Sequence, residues 1–429
     1  TSPYCMAQDA PAPEGLRAAV FDVNATPPVG SMMAYDKAIG QYDLTLRARG
    51  VVLLGAGTPI VVCAVDWICI ANGSNEAFRK ALAAAALTTP DRVAVHTVHQ
   101  HDAPFSDFSA EKLLKNRGFD AGCYEGGYQH DILAALAGAV AKSVQSAQPV
   151  THVGLGAAQV FEVASNRRVL GPDGKVRGVR WSTTLDAALR AEPEGLIDPI
   201  VSLISLWNGD APIAVLSYYA CHPQSYYRTG IPNPDYPGIA RFLRQLAVPD
   251  ALHIHFDGAG GNVTAGKYND GNHENRRLFA ERLADGMKRA WETTEKFPIA
   301  PADVTWNVLQ ENLPLAAHLD PAQLEAQFNA AQTAGEALKC ASDLVWARRC
   351  RDGQGVGIAC LGLGRARVLF MPGELFVEYQ LAAKAMRPDL FVAMAAYGDC
   401  APGYIGTAVA YGEGGYETTP PASGVKPEV

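Results

Sequence analysis

Two histidines two positions apart, His99 and His101, have the residue type and the spacing for metal chemistry. Imidazole is the commonest metal ligand in proteins, and side chains at positions i and i+2 of an extended chain point the same way. The pair follows the apolar, β-branched stretch Arg92–Val98, which predicts a buried strand that Asp102 and Pro104 bring to an end. The ends of strands are where α/β proteins place their chemistry. The pair alone is also compatible with two hydrogen-bonded histidines near the surface.

Two further residues have the same placement, beside Pro or Gly directly after an apolar stretch. His222 precedes Pro223, and Glu374 follows Pro372 and Gly373. Histidines and a carboxylate from separate strand ends are typical of a catalytic zinc site that keeps one position open. Taken singly, His222 is compatible with a core histidine, and Glu374 with a carboxylate at a helix N-terminus, where the helix dipole favours negative charge.

The stretches that would position these residues alternate between strand and helix patterns. Apolar runs predict strands at Val20–Val23, Leu44–Leu54, Pro59–Ile70, Arg92–Val98, His152–Val160, Pro199–Trp207, Ala211–Ala220, Ala251–Asp257, Val356–Leu363, Ala366–Met371 and Leu390–Tyr397. Helical spacing predicts helices at Asn72–Ala86, Tyr128–Gln145, Pro237–Leu246, His273–Thr293 and Pro321–Arg349, and one that opens at Glu374. The interleaving predicts an α/β fold with a mixed β-sheet core flanked by helices.

Local signals refine this prediction. The Asn-Gly-Asp turn at 208–210 predicts a hairpin in the middle of a sheet, and Asn72 or Ser74 is expected to cap the helix that begins there. Ser106–Gly122 is predicted to be a long polar loop, and Gly258–Thr264 a glycine-rich turn. Since no internal repeat or long linker is visible, the prediction is one domain over residues 1–429, with a loose segment at 1–15.

The composition excludes some classes of protein. The chain of 429 residues is 48% hydrophobic and 19% charged, which is typical of a globular protein with a sizeable core. The net charge of −8 and the absence of a Lys or Arg run argue against a nucleic-acid partner. The most apolar window, Val51–Ala71, is broken by Gly, Pro and Asp, so no transmembrane segment is predicted. Because residue 1 is Thr, a removed secretory signal and a secreted or periplasmic location are expectations, and a homo-oligomer stays open.

The nine cysteines are odd in number and include no C-x-x-C pair. Cys340 and Cys350 could close a short disulfide loop, although spacing does not determine connectivity. Cys63, Cys69 and Cys360 lie in apolar, strand-like runs, which favours buried free thiols. The cysteines therefore leave the redox compartment open.

Seven short motifs occur in the order of one known family. They are Asp22–Gly30, His99–Pro104, Asn166–Arg168, Cys221–Pro223, Gly258–Thr264, Pro372–Glu374 and Tyr404–Glu417. In turn they resemble the segments DIT…P.G, HTHSGP, NR, HP.S, G..GD…P, PGE and YVTT..EY….YE of the catalytic domain of the neutral/alkaline (non-lysosomal) ceramidases. Those enzymes are zinc amidohydrolases that cleave the fatty-acyl amide of ceramide. Each motif is short, but all seven in the family's order make the resemblance specific.

Carried over position by position, the resemblance implies a ceramidase-like catalytic domain with a Zn2+ cofactor. The implied metal ligands are His99, His222, Glu374 and Tyr404. The implied catalytic residues around the scissile carbonyl are His101, Arg167 and Tyr416. The arginine and the tyrosine hydroxyl would stabilise an oxyanion, and the histidine would donate or shuttle a proton. Without the resemblance, Tyr404 is compatible with a loop tyrosine and Arg167 with a surface charge.

Other positions depart from the family pattern. Asp102-Ala103 replaces Ser-Gly, Gly261-Asn262 replaces Gly-Asp, and Ala-Val-Ala-Tyr at 408–411 replaces the EEY stretch. No counterpart of the family's carboxyl-terminal immunoglobulin-like domain is expected, since the chain ends shortly after Glu417. Asp102 is expected to add a polar group near the metal, which favours a substrate more polar than ceramide.

Three functions fit these residues. The leading hypothesis is a zinc-dependent hydrolase that cleaves an amide or an ester bond with metal-activated water. The alternative is a carbohydrate-active lyase or glycosidase in which the same metal site and Arg167 neutralise the carboxylate of an acidic glycan. A third is a non-catalytic, zinc-stabilised binding protein. The expected partner is therefore a small-molecule, lipid or glycan substrate, and nitrogen and oxygen ligands leave the identity of the metal open.

Overall fold

Strands and helices alternate along residues 15–427, the part of the chain that the computed structural model describes. The predicted loose segment at residues 1–15 lies outside the described residues except for Gly15. The strands are, in chain order, β1 (Arg17–Asn24), β2 (Arg47–Leu54), β3 (Ile60–Val65), β4 (Cys69–Ile70), β5 (Val93–Thr97), β6 (Phe105–Ser106), β7 (Gln148–Pro149), β8 (His152–Gln159), β9 (Ser165–Asn166), β10 (Arg168–Leu170), β11 (Val176–Val179), β12 (Ile200–Asn208), β13 (Ala211–Tyr219), β14 (Leu252–Asp257), β15 (Val263–Thr264), β16 (Glu295–Pro298), β17 (Val304–Glu311), β18 (Val356–Leu363), β19 (Ala366–Phe370), β20 (Glu374–Leu375), β21 (Phe391–Ala395) and β22 (Tyr404–Ile405).

The α-helices cover the sheets. They are α1 (Asn72–Ala85), α2 (Phe108–Asn116), α3 (Gly127–Val144), α4 (Ala187–Ala191), α5 (Asp235–Ala247), α6 (Glu274–Glu292), α7 (Pro321–Ala330), α8 (Ala334–Arg351), α9 (Val377–Met386) and α10 (Ala408–Glu413). Within residues 15–427, none of these helices has both the length and the hydrophobicity that crossing a membrane requires.

Three mixed sheets form the framework. Their strand orders are β5-β3-β2-β1-β7, β14-β13-β12-β8-β16 and β17-β18-β19-β21. Most neighbouring strands are antiparallel, but each sheet contains a parallel pair: β3 with β5, β13 with β14, and β19 with β21. The predicted hairpin is confirmed, because β12 and β13 pair antiparallel inside the second sheet. The predicted α/β class with mixed sheets and flanking helices is confirmed as well.

The apolar strands are buried on both faces. Because successive side chains of a strand point in opposite directions, one strand contributes to two cores. On β2, Val51 and Leu53 join a core that all three sheets share, whereas Val52 and Leu54 pack with α1 and α3. The second sheet faces the shared core on one side and α5 and α6 on the other. These near-continuous apolar strands explain why the strand pattern was readable from the sequence.

The carboxyl ends of strands from different sheets meet at one edge. The backbone N–H of Thr97, at the end of β5, donates to the carbonyl of Tyr397, 2.9 Å away. The N–H of Ala396, just after β21, donates to the carbonyl of Asp257 at the end of β14, 3.0 Å away. Residues that follow β5, β14 and β21 are therefore brought together, and β13 ends beside β14 because these two strands are parallel.

The predicted polar loop at Ser106–Gly122 is wrong, because it contains α2. The carboxylate of Asp107 caps this helix by accepting hydrogen bonds from the N–H groups of Ser109 and Ala110, at 3.1 and 3.0 Å. Only Ala110 and Leu114 supply buried apolar side chains. Such a short helix buries too few apolar residues for its periodicity to stand out.

The single helix predicted at Pro321–Arg349 is also wrong, because α7 and α8 are separate. The hydroxyl of Thr333 accepts a hydrogen bond from the N–H of Glu336, 3.3 Å away, and the carboxylate of Glu336 accepts one from the N–H of Thr333, 3.2 Å away. This reciprocal capping box starts a new helix.

Two helix starts differ from the prediction. The helix expected to open at Glu374 begins at Val377, because Glu374 belongs to β20, which pairs with β22. Asn72 and Ser74 do not cap α1, because their side chains bind residues at the start of α2. The strands β16 and β17 had no prediction. β17 lies at the edge of its sheet, half of its residues are polar and most of its side chains are exposed, so its apolar pattern is weak.

The cysteines of the described residues are free thiols. Cys340 and Cys350 lie ten residues apart on α8, which corresponds to roughly 15 Å along a helix axis, so they cannot close the disulfide loop that the sequence left open. Cys63 and Cys69 are buried as predicted, whereas Cys360 is partly exposed.

Candidate metal centre

His99 and His101 lie in the turn after β5 and not on the strand itself. The strand ends at Thr97, and His99 has φ +68°. The prediction of two side chains on one face of an extended strand is therefore wrong. A left-handed conformation is unfavourable for a residue with a side chain and tends to persist where surrounding contacts impose it. Here the N–H of His99 donates to the carbonyl of Trp67, 2.9 Å away.

Three imidazoles are oriented by hydrogen bonds to backbone carbonyls. Nδ1 of His99 donates to the carbonyl of Ile68 (2.6 Å), and Nδ1 of His101 to the carbonyl of His99 (3.0 Å). Nδ1 of His222 donates to the carbonyl of Gly260 (3.3 Å). Because a carbonyl only accepts, each Nδ1 carries the proton, and in the neutral ring Nε2 keeps a lone pair. This arrangement recurs at metal centres, where it fixes the ring and its tautomer.

The three rings converge on one point. One ring nitrogen from each of His99, His101 and His222 lies within 4.8 Å of the other two, and all three residues are buried. Burial and the neighbouring His99 imidazole hold the pKa of His101 and that of His222 well below the ordinary histidine range. Neutral, buried imidazoles with free lone pairs are suited to a divalent cation.

Glu374 adds a carboxylate to this cluster. Its Oε2 lies 3.3 Å from Nε2 of His99 and 3.7 Å from Nε2 of His222. The same Oε2 is buried and has no hydrogen-bond partner among the described residues. A buried, unsatisfied carboxylate oxygen is costly, and lone pairs that face each other at this range repel unless a cation lies between them. The donor set therefore fits a metal ion.

Tyr404 is placed beside Glu374 by the short strands. The two residues are paired positions of the parallel strands β20 and β22. The ring of Tyr404 lies parallel to that of His222, with ring centroids 6.4 Å apart. Burial raises the pKa of the Tyr404 phenol well above its ordinary value, although the charge of Arg167 opposes the shift.

Arg167 connects the tyrosine to a buried acid. Its Nη1 donates to the hydroxyl of Tyr404 (3.0 Å) and to the carbonyl of Gly261 (3.2 Å), and its Nε lies 3.3 Å from Oε1 of Glu417. Burial disfavours the guanidinium charge, but Tyr404 and Glu417 more than compensate and raise the pKa of Arg167. Arg167 is therefore a buried cation within the cluster, and not the surface charge with which the sequence alone is compatible.

All seven predicted site residues line one cavity of about 700 Å3. The cavity wall contains His99, His101, Arg167, His222, Glu374, Tyr404 and Tyr416. Tyr416 lies toward solvent, at 39% exposure, with its ring centroid 5.8 Å from that of Tyr404. The cavity has the size of a small-molecule site. The individual roles of these residues stay predictions.

Asp102 does not line this cavity, contrary to the expectation. Its carboxylate accepts hydrogen bonds from the N–H of Arg228 (2.7 Å) and from the N–H (3.2 Å) and the hydroxyl (2.7 Å) of Thr229. These bonds anchor the loop that follows His222. The inference of a more polar substrate therefore loses its support.

Other aromatic residues at the centre had no predicted role. Tyr397 stacks on His99 with ring centroids 4.4 Å apart, and its hydroxyl lies 3.4 Å from Nδ1 of His222. Its one sequence signal was its place at the end of a predicted strand, before Gly398. Tyr35 stacks on His101 with centroids 5.9 Å apart, and nothing in the sequence pointed to it.

No protein-family model matches this sequence, and no curated protein does. The fold, in contrast, is similar to solved ceramidase structures. A neutral ceramidase from Pseudomonas aeruginosa aligns with a TM-score of 0.64 over 95% of this chain and 71% of its own, at 16% sequence identity. A ceramidase complexed with C2 aligns with a TM-score of 0.64 over 96% of this chain and 73% of its own, at 15% identity. The chain has a ceramidase-like fold.

Proposed function

We propose that this protein is a zinc-dependent hydrolase, a divergent relative of the ceramidases, that cleaves an amide or an ester bond. The observation that supports this most strongly is the convergence of the unpaired Oε2 of Glu374 with Nε2 of His99 and of His222. Nitrogen and oxygen ligands of this kind suit Zn2+. The residues that would hold the ion are His99, His222, Glu374 and Tyr404. His101 belongs to the same cluster of ring nitrogens and is a further candidate ligand.

A zinc ion at this place would supply a Lewis acid and lower the pKa of a water molecule that it binds. The chain would supply the other groups. Nη2 of Arg167 has no hydrogen-bond partner among the described residues, and the Arg167 side chain lines the cavity, so Nη2 would donate to an oxyanion. In the arrangement in which His101 is not a metal ligand, its Nε2 would accept the proton from the nucleophile and deliver it to the leaving amine or alcohol.

The proposed substrate class rests on the fold and the cavity. Two solved structures with a similar fold are ceramidases, so an N-acyl amide is the first class to test. The cavity is also partly aromatic, with Tyr35, Trp181 and Tyr227 in its wall. Flat apolar surfaces of this kind accommodate an acyl chain or the face of a sugar ring.

The test measures hydrolysis of a fluorogenic N-acyl amide and of the matching ester. Activity is expected in the native protein, loss on removal of metal by a chelator, and recovery when zinc is restored. His99→Ala and Glu374→Gln are expected to be inactive, while Asp102→Asn, which lies outside the cavity wall, is expected to stay active if it folds. Full activity of a variant that lacks His99 would contradict the proposal.

A carbohydrate-active lyase or glycosidase on an acidic glycan is the second candidate. The aromatic cavity wall and the free Nη2 of Arg167 favour it, since a guanidinium pairs well with a uronate carboxylate. A lyase product would show the ultraviolet absorbance of an unsaturated sugar, whereas an amidase would release an amine. Binding of zinc and ligand without any turnover would instead favour the non-catalytic alternative.

The proposal treats the described residues as one domain of a secreted or periplasmic protein. The core that the three sheets share supports a single folding unit. One cooperative unfolding transition, seen equally by far-ultraviolet circular dichroism and by tryptophan fluorescence, is the expected result. Two separated transitions would contradict the single domain.

A further inference from the structure

A second cavity, of about 660 Å3, lies apart from the metal centre. It shares no lining residue with the first cavity and is bordered by α1, α8, β5 and the turn after β21. Its volume is in the range of small-molecule sites. No role proposed above uses its residues.

Two nearly buried side chains line this cavity with polar atoms that bind no described residue. His96, on β5, is 4% exposed, and its Nδ1 donates to the carbonyl of Ala396, 2.8 Å away. In the neutral ring Nε2 is therefore an acceptor, and it binds no described residue. A Cβ at Gly398 would lie 3.3 Å from that Nε2, so the glycine leaves the nitrogen open. The amide of Asn75, which is 7% exposed, has no partner among the described residues either.

Arg79 adds a positive charge that forms no close ion pair with a described residue. It lies one turn after Asn75 on α1, so both side chains are on the same face of the helix. Its Nε donates to the carbonyls of Pro90 (3.0 Å) and Val93 (3.2 Å), but neither Nη group has an acceptor in residues 15–427. Burial lowers the pKa of Arg79, although the charges of Asp399, Asp91 and Glu76 oppose the shift. A partly buried guanidinium whose Nη groups bind no anion is unfavourable.

The other charges of this cavity are mostly satisfied within the protein. Arg349 pairs with Asp399 at 2.8 Å, and Arg348 with Glu325 at 2.6 Å. Asp91 also lines the cavity, but it forms no ion pair with Arg79. Arg79 is therefore a partly buried cation of this cavity whose Nη groups are left for a ligand.

We propose that the second cavity binds a small oxyanion that also carries a hydroxyl group, such as a hydroxycarboxylate or hydrogen phosphate. The two Nη groups of Arg79 would bind two oxygens of the anion. Nε2 of His96 accepts the hydrogen bond of the ligand's hydroxyl, and the amide of Asn75 binds from the same helix face as Arg79. A plain carboxylate satisfies the guanidinium but leaves Nε2 of His96 without a donor.

The test is calorimetric titration of the full chain with glycolate, acetate and inorganic phosphate. The native protein is expected to bind glycolate and phosphate at one site, and acetate at least about ten-fold more weakly, a difference of about 1.4 kcal/mol. Arg79→Met is expected to lose binding of all three. Lys80→Met is the matched control, because it removes the same charge one residue further on from an exposed position outside the cavity.

Two further variants keep the proposal open to refutation if Arg79→Met does not fold. Asn75→Asp places a carboxylate one turn from Arg79 without a change of size, so it is expected to abolish anion binding. His96→Phe is expected to remove the preference for glycolate over acetate. Native protein that binds neither glycolate nor phosphate at about 10 mM would overturn the proposal. Unchanged binding in Arg79→Met or in Asn75→Asp would do so as well.

Discussion

Replacement of Glu417 by Gln is expected to lower the free energy of unfolding by about 3 kcal/mol. The Glu417 side chain is fully buried, with Oε1 3.3 Å from Nε of Arg167 and Oε2 3.2 Å from Nη1 of Arg168. Both arginine side chains are only 4% exposed, so loss of the shared carboxylate leaves two buried cations without their common counter-ion.

The magnitude follows from this burial. Removal of one partner from a buried ion pair costs about 3–5 kcal/mol. The lower value applies here because Gln keeps one oxygen as an acceptor and because Glu413 still pairs with Arg168, at 3.1 Å. The assay is urea denaturation at neutral pH, with the midpoint and the slope fitted together.

Glu413→Gln is the matched control. It removes a carboxylate from the same Arg168, but the Glu413 side chain is 25% exposed, so solvent screens the pair and the expected loss is about 1 kcal/mol or less. Equal stability of Glu417→Gln and the native protein would refute the reasoning. An equal loss in both variants would show that burial of the acid does not decide the effect.

Three other outcomes are expected. The free energy of unfolding should decrease as the pH is lowered from about 6.5 to about 4. Burial lowers the pKa of His96 and His253 to about 4, so the unfolded chain binds more protons than the folded chain over this range. Denaturation midpoints that do not change with pH in this range would contradict the prediction. Thr333→Ala should cost about 1 kcal/mol through loss of the capping box of α8, and Thr333→Ser should restore most of it in thermal denaturation. If the proposed hydrolase function holds, Arg167→Met should lower kcat by about 100-fold. The zinc content should stay unchanged, because the guanidinium donates to Tyr404 and does not bind the metal. Loss of zinc together with activity would contradict the prediction.

The strand ends were the most informative part of the sequence. His99, His222 and Glu374 each follow an apolar run, with Pro104 shortly after His99 and Pro or Gly beside the other two, and all three side chains reach one cavity. This works because strands buried on both faces leave a strong apolar signal, and the ends of such strands meet at a shared edge. Arg167 and Tyr404 carried no such signal and were identified as site residues only through the resemblance to the ceramidases.

The remaining features depend on contacts that a linear pattern does not contain. The left-handed turn at His99 is stabilised by a hydrogen bond to the distant carbonyl of Trp67. The carboxylate of Asp102 accepts hydrogen bonds from a loop more than a hundred residues away. Tyr35 reaches His101 only through the folded chain. The start of α8 is a different case, because Thr333 and Glu336 have capping-box spacing that could have been read from the sequence.

The most direct test of the metal centre is the metal content of purified protein by elemental analysis. About one zinc per chain is expected in the native protein and in His130→Ala, whose side chain is 56% exposed and distant from the centre. His222→Ala is expected to lose the metal, because it removes one of the buried imidazoles that face Oε2 of Glu374. Native protein without stoichiometric metal, or His222→Ala with its zinc retained, would contradict the account.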